Sequence, residues 1–140
     1  MFGQPISDQI VITVDAPTIT GTTVIDSTPV DMSGFSGVLF IVRLGTPAAN
    51  NNIRAQQDTA VAMGAAADLT GTLLASGALN ICALEIIYPG EGFLRCRVTR
   101  GTSTTIDSIV AIRFGARSRP TALPAAVAFE SWQSVIEGTA

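Results

Sequence analysis

The chain has 140 residues, enough for one domain that buries about two-thirds of its unfolded surface. It is 47% apolar and only 14% charged, its eight positive charges are all arginine, it has no histidine, and its net charge is −3. Histidine-based triads and Cys–His pairs are therefore excluded, and the acidic balance argues against a nucleic-acid footprint, which is a basic patch or stripe.

Gln9–Asp15 alternates apolar and polar residues and predicts a strand, ended by Ala16-Pro17 because proline cannot donate to a ladder. Thr18–Asp26 carries threonines at 18, 20, 22 and 23 and favours extended backbone, with Gly21 as a bulge. Asp26-Ser27-Thr28-Pro29 is turn chemistry. Val38–Val42 is an unbroken apolar run between glycines and predicts a central strand buried on both faces. Thr46–Asn52 reads as a loop, Ile53–Gln57 as a short strand, and the alanine-rich Thr59–Ala67 as a turn or two of helix weakened by Gly64.

Leu79–Tyr88 and Phe93–Arg100 predict a hairpin joined by Pro89-Gly90-Glu91-Gly92. Keeping charge off the apolar face pairs Glu85 with Arg95 and Ala83 with Arg97. Cys82 and Cys96 then become diagonal core neighbours, too far apart for an easy disulfide and read as free thiols. The start Met-Phe-Gly-Gln-Pro lacks the basic and apolar segments of a secretory signal, which agrees with unpaired thiols. Ile106–Gly115 is a further strand, and Val127-Ala128-Phe129 a last short one.

Seven to nine short strands with Gly, Pro and Asn turns predict an all-β fold, a jelly-roll-like antiparallel β-sandwich with an extended C-terminal tail. The domain spans 1–123, and 124–140 packs on it or on a neighbour. No apolar run approaches the ~20 residues of a membrane span.

Little in the chain resembles an active site. Ser36 in Gly-Phe-Ser-Gly-Val misses the nucleophile-elbow spacing, and no base is present to activate it. The cysteines lack metal-ligand spacing, so no metal and no cofactor is expected. Asp26 and Asp31 read as turn or edge residues, and one Trp and one Tyr are few for a saccharide cleft. The expectation is a protein without enzymatic activity.

The candidate partner residues are Arg95, Arg97 and Arg113 on an exposed sheet face, with Phe129, Trp132 and Ile136 in the tail. Arginine and aromatic residues are enriched at interfaces, and an extended tail cannot bury such side chains by itself. Low charge and high apolar content predict self-association as a dimer or trimer.

Asp31-Met32-Ser33-Gly34-Phe35-Ser36-Gly37-Val38-Leu39-Phe40 resembles the start of small head proteins of tailed bacteriophages, with an aspartate, a Gly-aromatic turn and an apolar strand. Gln56-Gln57-Asp58, Asp68–Thr72, Arg97–Gly101 and Glu137–Ala140 are similar in order and spacing. The alanine-rich Thr59–Ala67 departs from that pattern, where more acids are expected. The resemblance implies a capsid cement or decoration protein of jelly-roll type. Such a protein is made in the host cytoplasm and bound outside the major capsid protein lattice of the virion. Its partners would be the major capsid protein and itself, with no nucleic acid and no membrane. The alternatives are a head-tail joining or tail component, or a sugar-binding adsorption module.

Overall fold

The computed structural model describes residues 5–118, 124, 125 and 127–129. Position 123 at the expected domain boundary, Trp132 and Ile136 lie outside them. A 3₁₀ turn (Ile6–Asp8) precedes eleven strands: β1 (Val11–Asp15), β2 (Thr20–Gly21), β3 (Ile25–Asp26), β4 (Val30–Asp31), β5 (Gly37–Leu44), β6 (Asn51–Asp58), β7 (Ala67–Asp68), β8 (Leu74–Ala75), β9 (Ile81–Ile87), β10 (Phe93–Arg100) and β11 (Thr104–Phe114).

The strands form two antiparallel sheets. The first runs β1-β11-β5-β9, with β2 extending β11. In the second, β3 and β4 share one flank of β10, and β6 follows with β7 and β8 on its far side. Counting β1/β2, β3/β4 and β7/β8 as one position each leaves eight positions, and the chain changes sheet at every step between them except from β6 to β7/β8. This is the two-Greek-key order of a jelly roll.

β5 lies between β11 and β9. Val38, Phe40, Val42 and Leu44 point inward and are buried, while Leu39 and Ile41 on the other face are half-buried. The run is thus covered fully on one face only, because the second sheet packs on a single side. Gly37 starts the strand beneath the Phe114 ring, and an added Cβ would stand 2.8 Å from the Ile86 carbonyl oxygen. From the facing sheet, Ile53, Ala55, Leu94, Cys96 and Val98 complete the core.

The expected hairpin is not formed. β9 pairs with β5, and β10 pairs with β6, so the Pro89–Gly92 loop crosses between sheets. Tyr88, at φ 51, turns the chain out of the first sheet and donates its N–H to the Ser36 carbonyl at 2.8 Å. Glu85 consequently lies across from Leu39, and Arg95 across from Gln56. The cysteines are free and buried all the same, Cys82 in the first sheet and Cys96 in the second.

Two further expectations are corrected. Residues 59–66 form turns, not helix, held by Asp58, whose carboxylate accepts the N–H groups of Ala60 (3.1 Å) and Ala65 (2.8 Å). Asn51 and Asn52 belong to β6, across from Arg100 and Thr99.

The outer faces of the two sheets differ. On the first, the register sets Ile12, Ile112, Leu39 and Glu85 in one row across four strands, and Val14, Val110, Ile41 and Ala83 in the next. The outer face of the second is polar.

Candidate functional site

The polar outer face follows from strand alternation. Leu94, Cys96, Val98 and Arg100 of β10 are buried inward, so Arg95 and Arg97 point out. Arg97 lies across from Asp26 of β3 on one side and Arg54 of β6 on the other. Arg95 lies across from Gln56, which in turn lies across from Asp68 of β7.

These neighbours form a connected set. Arg97 donates from Nε and Nη2 to the two Asp26 oxygens at 2.7 and 2.8 Å. Arg95 Nη1 lies 3.2 Å from the same carboxylate, and its Nε donates to Gln56 Oε1 at 2.9 Å. Gln56, itself buried, donates from Nε2 to Asp68 Oδ1 at 2.6 Å. Arg54 Nε stands 3.2 Å from Asp68 as an ion pair, though the N–H is not aimed as a hydrogen bond. The hydrogen bond from Arg97, then the charges of Arg95, Arg97 and Arg54, hold the Asp26 carboxyl below its ordinary value against the opposing effect of burial. Three guanidinium groups face two carboxylates within this patch, while the next row of the same face sets Asp31 and Asp58 on either side of Phe93. The side chains of the patch are already fixed, so a partner that docks here orders few of them on binding.

Arg113 is not part of this patch. It sits on β11 in the first sheet, stacks its guanidinium 4.8 Å from the centre of the Phe35 ring and donates to the Asp31 carbonyl at 2.8 Å. Partial burial pushes its pKa down. Phe129 is half-exposed, at 37%.

Arg100 went unread in the sequence and proves to be a buried clamp. It donates to the carbonyls of Thr23 (2.7 Å), Ile19 (2.5 Å) and Thr104 (2.8 Å) and to Thr23 Oγ1 (2.8 Å). It thereby ties the Ile19–Thr23 segment and the start of β11 to the end of β10. The one available signal was alternation, since Arg100 follows Leu94, Cys96 and Val98 on the inner face.

Loops at the opposite end of the sandwich border an open cleft of about 270 Å³, with Phe35, Tyr88, Glu91 and Arg117 among its walls. Among the described residues, no three His, Cys, Asp or Glu side chains gather where they could hold a metal ion.

No protein-family model and no curated protein matches the chain. Among solved structures, it is similar to PBSX exported protein XepA at 13% identity and a TM-score of 0.56, covering 94% of this chain and 46% of XepA. SPBc2 prophage-derived protein YomS is similar at 9% identity and a TM-score of 0.46, covering 74% of this chain and 93% of YomS. The chain thus spans just under half of XepA, and at such identity the likeness to XepA establishes the fold alone.

Proposed function

We propose that this chain is a non-enzymatic structural protein of a tailed-phage virion. It decorates the capsid by binding the outside of the major capsid protein lattice, without engaging nucleic acid or membrane. The observation that carries the reading is the outer face of the second sheet, where Arg95 and Arg97 are pre-positioned on Asp26 and Gln56. Such a surface suits recognition of another protein, because rigid, partly desolvated arginines supply directed donors with little entropy left to lose. The motifs from Asp31 to Phe40 and from Arg97 to Gly101 support the capsid partner by resemblance.

Co-sedimentation with emptied heads of the phage that encodes the chain tests this. Wild-type protein is expected to pellet with heads, and the Arg95→Ala/Arg97→Ala variant to bind at least roughly ten-fold more weakly. Heads that sediment without the wild-type protein overturn the capsid assignment. Equal binding by the variant overturns the role of this face.

The adsorption reading has one observation in its favour, the loop-end cleft bordered by the exposed Tyr88 beside Glu91 and Arg117. A saccharide that quenches tyrosine fluorescence in the wild type, but not in a Glu91→Ala variant, would favour it over capsid decoration.

A further inference from the structure

We propose that the outer face of the first sheet is the contact surface of a homodimer, two copies stacking this face on itself about a two-fold axis. The face is four strands wide, and its two central rows are apolar except for Glu85. Val14 is 55% exposed within a single copy, with Ile12 of β1 and Pro124 and Val127 of the C-terminal segment bordering it, and Ile81, in the row of Arg43, is 60% exposed. Isolated apolar residues at a surface are ordinary, but a contiguous sheet face of them marks an interaction site.

The charges on the face identify the occupant as a second copy. Glu85 stands on β9 in the row of Leu39, and Arg43 stands on β5 two rows further along, beyond Ile41. They are of opposite sign. A two-fold axis crossing the strands along the row Val14–Val110–Ile41–Ala83 lays Arg43 near the partner's Glu85 and Glu85 near the partner's Arg43. The apolar row on the axis meets its own copy, the self-complementarity that an isologous interface requires. Arg43 also lies 3.6 Å from Asp107 within its own copy, an exposed pair of little strength that leaves it available. The face measures roughly 19 by 20 Å, about 400 Å² before side-chain relief is counted, which approaches the roughly 500 Å² per partner at which specific interfaces begin. The dimer does not depend on the capsid reading, since it uses the opposite sheet.

Sedimentation velocity of the full chain at tens of micromolar tests the proposal, with thermal melting as the control for folding. The wild type is expected to be dimeric. Val14→Lys, which sets two cations against each other on the axis, should weaken dimerisation at least roughly ten-fold. Arg43→Glu and Glu85→Arg should each run as monomers, yet dimerise when mixed, because only the mixed pair restores both contacts. A monomeric wild type overturns the proposal. So does a dimer that survives Val14→Lys, or a mixture of the two charge variants that stays monomeric. Loss of the dimer in Ala83→Pro but not in Val14→Lys would mean pairing through the β9 edge and also overturns it.

Discussion

Arg97 grips Asp26 with two parallel hydrogen bonds, at 2.7 and 2.8 Å, across 71 positions of sequence. The pair locks the short strand β3 onto β10 and shares its carboxylate with Arg95. One carboxylate therefore organises both outward-facing arginines of β10, Arg95 and Arg97.

Asp26→Asn should lower stability by about 1–2 kcal/mol, as expected for a partly exposed, charge-assisted bidentate contact. Chemical denaturation measures the loss. The same variant should reduce head binding through misplaced Arg95 and Arg97, even where the protein stays folded.

Acid should destabilise the protein through three carboxylates. Asp26 is held low chiefly by Arg97, Asp31 by the Ser33 backbone N–H, and Asp58 by the backbone N–H groups of Ala60 and Ala65. Each folded-state pKa lies below the ordinary 3.8, so the stabilisation is present above that value and is lost as pH falls through and below it. Denaturation midpoints should hold steady in the neutral range and drop below about pH 4. Asp26→Asn should flatten part of that drop.

The thiols should be inert in the folded protein. Burial, with a smaller contribution from Cys82 and Asp26, pushes Cys96 up to about 12, and burial raises Cys82 as well. A thiol reagent should modify neither cysteine under native conditions and both after unfolding without reductant. Because these pKa values are raised above the ordinary 9.0, their contribution holds below that pH and is lost as pH rises beyond it.

Arg100→Ala should cost about 3 kcal/mol or more, since it strands the Thr23, Ile19 and Thr104 acceptors that the guanidinium satisfies. Arg100→Lys should recover only part of the loss, because a single ammonium cannot reproduce the planar fork. Thermal melting of both variants separates this clamp from a mere charge effect.

Phe40→Ala should destabilise by about 3–5 kcal/mol, since the side chain is fully buried at the centre of the core.

The sequence by itself determined the all-β class, the central place of Val38–Val42, most turns and the inward direction of both cysteines. These depend on local composition and on period-two alternation, which any pairing of the strands must respect. Tertiary structure decided which strands pair. β9 and β10 each have an apolar inner face and are joined by a short Gly-rich loop, so a hairpin and a crossing between sheets satisfy the same pattern. The registers pair β9 with β5 and β10 with β6, so the crossing is the arrangement adopted. That choice moved Arg95 from Glu85 to Gln56 and Asp26, placed Arg113 in the other sheet and turned Arg100 into a clamp. Arg95 and Arg97 were legible as outward-facing because alternation alone points them out. Their partners Asp26 and Gln56 were not, because a contact between strands distant in sequence is set by sheet order, which local pattern does not encode.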